Sequence, residues 1–234
     1  MKPDADRRAR LLQLGAGVVF LAIVAVAALI VISSSSGGSG GDENLEETAE
    51  VSRLLAGIPQ RGMVLGEPKA PVELVEFGDL QCPFCRAYSE EILPPIIEGP
   101  VRNGEVKIDF RNFTIIGEQS TPAGAAALAA GEQGRGWNYV ELFYRNQGEE
   151  DSGYADDAFL EAIAKGAGVD DLAKWRQDRR RQVPAVERTT AEAQRLGFNG
   201  TPSFAVRGPK TDGLETLSTP QSVGALEEAI EGAS

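Results

Sequence analysis

Both cysteines of this 234-residue chain lie in one short stretch, "FGDLQCPFCRAYSEEILPPI" (residues 77–96), as Cys82-Pro-Phe-Cys85. What surrounds them limits the fold more than any other feature. Upstream, "PVELVEF" (71–77) has the Val, Leu and Phe content and the Pro/Gly boundaries of a strand. From Pro83 to Leu93 the apolar spacing is helical, and Pro94-Pro95 should kink or end that helix, because proline lacks the N–H that continues it. "VKIDFRNFTI" (106–115) alternates apolar and polar residues and reads as a second strand. Strand, helix, strand in this order predicts a βαβ unit with the helix packed on a parallel sheet.

The character then changes. Between Ser120 and Phe198, "AGAAALAA", "NYVELFYRNQ", "DDAFLEAIAKGAG", "DDLAKWRQDRR" and "AVERTTAEAQRLGF" all carry helical spacing, punctuated by Gly, Pro and Asp. Strand character resumes at "TPSFAVRG" (201–208) and "GLETLS" (213–218), and "SVGALEEAIEG" (222–232) reads as a closing helix. The plan is βαβ, a long helical block, then ββα. The sequence holds no internal repeat and no phosphate-binding glycine loop.

A different signal precedes this body. Leu14 to Ile32 is a run of 19 residues without a charge, which as a helix spans roughly 28 Å, close to the hydrocarbon thickness of a bilayer. Lys2, Arg7, Arg8 and Arg10 stand before it, so the N-terminus is expected in the cytoplasm and the other 202 residues across the membrane. A cleaved signal peptide is the alternative, but its apolar core is usually about 7–15 residues and an A-x-A site follows it. The predicted organisation is a basic tail (1–10), an anchor (11–32), a flexible tether (33–58) and a folded domain (59–234) with a helical insertion over about 118–198. Within the tether, "SSSSGGSGGDEN" (33–44) cannot bury enough apolar area to fold, whereas Leu45 to Leu55 has the spacing of a short helix.

Charge excludes one class of partner. Residues 1–32 hold four of the 23 basic and two of the 35 acidic side chains, which leaves the exported part at a net −14. So acidic a surface repels a polyanion, and nucleic acid is not an expected partner. The acidic run "GEEDSGYADD" (148–157) reads as a solvated loop.

The two cysteines admit three readings. Zinc usually takes four Cys or His ligands in a structural site and three protein ligands in a catalytic one; a chain with two cysteines and no histidine does not supply them, so no metal is expected. The absence of histidine also removes Ser-His-Asp and Cys-His catalysis. A disulfide that merely staples is weak here, because bridging two intervening residues removes little chain entropy. The redox reading fits the local physics. At a strand-to-helix turn, with Pro83 where its missing N–H costs nothing, the helix start favours a thiolate on Cys82. Cys82 is then expected as the exposed sulfur that exchanges with substrate, and Cys85, one turn into the helix, as the buried one that resolves the mixed disulfide.

With these residues in place the sequence resembles the thioredoxin superfamily, and within it the DsbA-like thiol:disulfide oxidoreductases. "ELVEFGDLQCPFC" resembles the strand–turn–helix that carries the family's active dithiol, and Thr201-Pro202 resembles the pair containing its cis-proline. The helical block resembles the domain that DsbA-like proteins insert into the thioredoxin fold, and the anchor and "GTP" form resemble membrane-anchored, BdbD-like members. The resemblance covers about residues 60–232. It implies an α/β thioredoxin fold (βαβ…ββα) with an inserted helical domain, preceded by a single transmembrane helix. It also implies a redox-active Cys82–Cys85 disulfide and a cis Pro202 beside Cys82, with Thr201 offering backbone groups to a bound peptide.

Glu76 holds the place of the family's buried acid, where burial would raise its pKa and let it relay the Cys85 proton; the alternative is an exposed partner of a Lys or Arg. Pro83 and Phe84 are expected as substrate contacts. Phe84 departs from the histidine of Cys-Pro-His-Cys, which removes one stabiliser of the thiolate and should make the protein less oxidising than DsbA.

The implied activity is disulfide formation in reduced or unfolded exported proteins, without a cofactor, and with a membrane quinone-linked partner for reoxidation. A reductase or isomerase on the same fold, and a non-catalytic binding module, are the rivals.

Overall fold

The computed structural model describes Leu45 and residues 47–234. The basic tail, the anchor and residues 33–44 of the tether lie outside the described residues. Among the described residues no helix is long and apolar enough to cross a membrane.

Six strands form one sheet among these residues: β1 (Gln60–Arg61), β2 (Val64–Leu65), β3 (Val72–Gly78), β4 (Val106–Asn112), β5 (Ser203–Arg207) and β6 (Glu215–Leu217). Their order across the sheet is β1-β2-β4-β3-β5-β6. β3 lies between a parallel neighbour, β4, and an antiparallel one, β5; Glu76 faces Phe110 on one side and Phe204 on the other. The parallel pair is the predicted βαβ unit, and β5 and β6 supply the ββ half. The β1–β2 hairpin was not expected. Strands of two residues carry no alternation to read.

Helix α1 (Thr48–Leu55) forms where short helical spacing was read, and Val51, Leu54 and Leu55 bury in the main core. Residues 48–55, which the sequence reading placed in the tether, are therefore part of the folded body. Helix α2 (Pro83–Glu91) starts with Cys82 in extended backbone at its N-cap and Pro83 at the first position. It stops at Ile92, and the chain re-enters helix as α3 (Leu93–Ile96), with a proline in its first turn, before a single π-turn at Ile97–Val101. The Pro94-Pro95 pair thus breaks the helix where predicted.

The helical insertion lies between β4 and β5 and comprises α4 (Ser120–Gly131), α5 (Gly136–Arg145), α6 (Asp157–Gly166) and α7 (Leu172–Arg195). The Asp156 side chain accepts the Phe159 N–H at 2.9 Å, and that of Asp171 accepts the Lys174 N–H at 2.8 Å, so α6 and α7 begin on carboxylate caps. One expectation fails here. "DDLAKWRQDRR" and "AVERTTAEAQRLGF" read as two helices split near Pro184, yet α7 runs unbroken through that proline. Packing on both sides holds it. Before Pro184, the Trp175 indole N–H donates to the Ala126 carbonyl of α4 at 2.9 Å; beyond it, Val186 and Ala193 are buried. These contacts offset the one hydrogen bond that an internal proline removes. The last helix, α8 (Val223–Ala233), is capped by Ser222, whose hydroxyl accepts the Ala225 N–H at 3.2 Å.

The sheet buries both faces. Val75 and Phe77 enter a small cluster with Phe113, Ala193 and Ala205, while Val72 and Leu74 face the main core with Phe110, Phe204, Cys85 and Tyr88. Gly78 ends β3 at the crowded junction of sheet and insertion. A Cβ there would sit 2.7 Å from the Phe110 ring and 3.0 Å from the Tyr144 hydroxyl. Phe110 in turn meets the Tyr144 and Trp137 rings edge-on, with centroids 6.4 Å apart in each pair. Gly78→Ala is therefore expected to destabilise the protein by about 1–3 kcal/mol through overpacking. Urea unfolding measures this, and a change within about 0.5 kcal/mol would show that the junction yields.

Candidate functional site

Between β3 and α2 the chain turns through Asp79, Leu80 and Gln81 to Cys82, and all four residues are buried. Buried backbone must find partners. Asp79 serves three N–H groups: its carboxylate accepts from Gln81 at 2.9 Å, Ile115 at 2.8 Å and Ile116 at 3.0 Å. The carbonyls are served by the insertion. Tyr144 donates to the Asp79 carbonyl at 3.3 Å, and the Gln147 amide donates to those of Leu80 at 2.7 Å and Cys82 at 3.1 Å. Gln81 reaches the other way, donating to Ser120 at 2.9 Å. The segment that presents Cys82 is thus clasped by β4's exit loop and by the end of α5.

Cys82 and Cys85 are free thiols, and their environments push them apart. The Cys82 pKa is lowered from 9.0 to about 6, chiefly by a hydrogen bond from the Cys85 thiol, against the opposing effect of burial. The Thr201 side chain and the Cys85 and Phe84 backbone N–H groups at the start of α2 lower it further. Burial holds the Cys85 thiol well above its ordinary value, reinforced by that shared hydrogen bond and by charge on Cys82 and Glu76. At neutral pH the pair therefore holds one thiolate, on Cys82, and one thiol, on Cys85.

The expected exposure of Cys82 is corrected by the structure. The residue is only 2% exposed, and its thiol donates to the Thr201 carbonyl at 3.3 Å, so the Thr201–Pro202 loop covers the sulfur. Pro202 is cis, as the resemblance implied. The Thr201 Oγ1 is buried without a hydrogen-bond partner, beside a thiol that becomes an acceptor on ionisation. A groove of about 420 Å³ runs alongside, lined by Phe84, Tyr88, Thr201, Pro202 and Pro220 among others. Phe84 is 74% exposed there, a large apolar side chain in contact with solvent. Pro83 is exposed at the first position of α2 and is not part of the groove wall.

Glu76 is 1% exposed on the central strand, and one of its oxygens has no hydrogen-bond partner, which excludes the alternative of a surface ion pair. Burial raises its pKa from 4.5 to about 8, with further contributions from Glu141 and Cys82. The Glu141 contribution comes from a residue that sequence reasoning missed. Glu141 is fully buried on α5, and burial lifts its pKa to about 7 against the pull of Arg145 and Ser89. A signal was present: Glu141 lies at helical spacing between the aromatics Trp137 and Tyr144, where a solvated carboxylate has no place. Asp79 and Gln147 were also missed. Their roles are to bond backbone, which leaves no pattern in composition.

A thioredoxin family model (Thioredoxin_4) matches residues 59–231. Among relatives, the probable disulfide bond formation protein D of Bacillus cereus is 31% identical over 149 residues, covering 62% of this chain and 69% of that protein. Disulfide bond formation protein D of Bacillus subtilis is 29% identical over 150 residues, with 61% and 66% covered. Oxidised BdbD from Bacillus subtilis superposes with a TM-score of 0.64 at 23% identity, covering 74% of this chain and 96% of that one. The fold is accordingly a thioredoxin fold with a DsbA-like helical insertion, and the buried dithiol is that of a thiol:disulfide oxidoreductase. The chain belongs to the thioredoxin family. Within that family it is similar to the disulfide bond formation proteins D and carries their activity class on the Cys82–Cys85 pair.

Two outcomes test these electrostatics. The thiolate absorbance of the reduced protein should half-titrate near pH 6, and Thr201→Val should move that midpoint upward by removing a hydroxyl donor to the thiolate. An unmoved midpoint would take Thr201 out of the account. The second concerns stability. A carboxyl whose pKa is raised on folding stabilises the protein fully below about pH 4.5 and loses that contribution as the pH rises through about 8. Glu76→Gln cannot ionise, so its melting temperature should gain on the wild type as the pH rises from 5 to about 9. A gap that stays constant with pH would show that Glu76 ionises normally.

Proposed function

We propose that the oxidised Cys82–Cys85 pair introduces disulfides into reduced or unfolded exported proteins, and that Cys82 is the sulfur that meets the substrate. The observation that carries this reading is the split between the two thiols, one with its pKa lowered to about 6 and the other raised. A stabilised thiolate is a good leaving group and favours the reduced state of the pair, which makes the disulfide an oxidant.

The sequence of steps balances as follows. A substrate thiolate attacks Cys82 Sγ, the Cys82–Cys85 bond breaks, and its electron pair leaves on Cys85, which takes a proton from Glu76. The substrate's second thiol then loses its proton and attacks the substrate sulfur of the mixed disulfide, expelling the Cys82 thiolate. The substrate leaves with a new S–S bond, and the protein holds Cys82 as thiolate and Cys85 as thiol.

The groove lined by Phe84, Tyr88 and Pro202 receives the peptide that carries the thiol, with its apolar residues against the exposed Phe84 ring. Access to Cys82 requires its contact with the Thr201 carbonyl to open. The domain works outside the cytoplasm, held to the membrane by residues 11–32 with the N-terminus inside; the uncharged run from Leu14 to Ile32 and its basic flank support this. Reoxidation falls to a membrane partner linked to quinone.

The direction is tested by equilibrating the full chain in detergent with glutathione redox mixtures. A potential well above thioredoxin's value of about −270 mV is expected, and one near that value would make the protein a reductase. Cys82→Ser should abolish the oxidation of a reduced, unfolded substrate while leaving the fold intact by circular dichroism. Retained function in that variant would point to a binding module.

A further inference from the structure

The mechanism above leaves one buried group unused. Glu141 is fully buried on α5, and neither carboxylate oxygen has a partner within full hydrogen-bond geometry; its polar neighbours are the Ser89 hydroxyl and, at 3.7 Å, Arg145. It is not isolated in this. Among the described residues, the buried polar atoms without partners include Glu76 Oε1, the Tyr88 hydroxyl, Ser89 Oγ, both oxygens of Glu141 and Arg145 Nε. These residues come from β3, α2 and α5, the three elements that meet behind the dithiol, and polar atoms so grouped are the kind that internal water bridges.

The surroundings of Glu141 give the cluster a direction. Toward the dithiol, Glu76 on β3 couples to Glu141 and also to Cys85 and Tyr88 on α2. On the flank, Ser89 and Glu90 of α2 act on Glu141. Outward, Arg145 Nη2 lies 3.7 Å from Glu141, and its Nη1 pairs with Glu47 and lies 3.7 Å from Glu50 of α1. Glu47 and Glu50 are about half exposed, at 45% and 54%. Cys85, Glu76, Glu141, Arg145, Glu47 and Glu50 thus form a row that leads to solvent on the α1 side, and none of these six lines the substrate groove, although Tyr88 beside them does.

We propose that Glu141 is a positioning residue of the dithiol chemistry, which shares one proton with Glu76 and passes it between Cys85 and the solvent edge at Arg145, Glu47 and Glu50. Two buried carboxylates that interact cannot readily both ionise, so the pair holds a proton ready for delivery. When substrate breaks the disulfide, the Glu76 carboxyl gives its proton to the departing Cys85 thiolate. Glu141 reprotonates Glu76, and solvent reprotonates Glu141 past Arg145. When Cys85 attacks a mixed disulfide on Cys82, each transfer runs in reverse and the proton leaves by the same path. The relay works with the substrate seated, because its outlet is not the groove. It rests on Cys82 as the sulfur that meets the substrate and holds for either net direction of electron flow.

The test follows the reduced full chain as it reacts with oxidised glutathione, resolving two steps. Formation of the Cys82–glutathione mixed disulfide reports the Cys82 reading alone. Its resolution by Cys85 reports the relay. Glu141→Gln should leave the first rate unchanged and slow the second about tenfold at neutral pH, below the full worth of about 10²–10⁴ for a general base because Glu76 remains. It should also remove one titrating step from the pH profile of resolution, and Glu141→Asp should restore part of the rate. A folded Glu141→Gln protein with the wild-type resolution rate and pH profile would overturn the proposal. A measurement on the wild type covers the case in which the variant does not fold. The infrared difference between reduced and oxidised protein should show two coupled carboxyl bands, and a single band would overturn the proposal equally.

Discussion

The turn from Asp79 to Cys82 carries reactive chemistry at a place with almost no access to water, and the rest of the molecule is arranged around that constraint. Water cannot satisfy its backbone, so the protein must, and it draws on distant parts of the chain. Asp79 ties the turn to the exit of β4 through Ile115 and Ile116, and Tyr144 and Gln147 tie it to the end of α5. The helical insertion is therefore no appendage to the sheet. It supplies donors that the turn needs, and Trp137 anchors the same helix to the β1–β2 hairpin through a 2.7 Å bond to the Met63 carbonyl.

With the turn fixed, electrostatics does the rest. Cys82 accepts from the Cys85 thiol and from N–H groups at a helix start, and Cys85 stands one turn deeper, where burial outweighs the one backbone hydrogen bond, at Asp79, that acts against it. The same burial that raises Cys85 raises Glu76 and Glu141. The chain contains no histidine, so side chains that titrate near neutrality must be made by environment. One thiol moved down and two carboxyls moved up meet in the same range, around one dithiol.

The sequence makes the reactive pair legible because its signals are local. Cys82-Pro-Phe-Cys85 at a strand-to-helix turn, an apolar central strand and the Thr201-Pro202 pair all act within a few residues. What escaped is set by tertiary contact. The burial of Cys82 depends on the loop that enters the neighbouring strand β5, 119 positions away in the chain, and the continuity of α7 through Pro184 depends on α4 beneath it. Glu141 shows the boundary between the two: its helical spacing with Trp137 and Tyr144 marks it as buried, but only the fold reveals that its charge acts on Glu76. The β1–β2 hairpin was too short to read, and α1 was visible as a helix although nothing local showed that it packs.

One contact also bears on timing. Cys82 meets the Thr201 carbonyl across 119 positions, and β3 pairs with β5 only after the whole insertion has been spanned. Contacts of such separation form late, because the intervening chain must be ordered first. During synthesis the two cysteines emerge well before the loop that covers one and tunes it. Until then Cys82 has neither the Thr201 contribution to its acidity nor its shield. The cover over the dithiol is in this sense the last part of the site to mature.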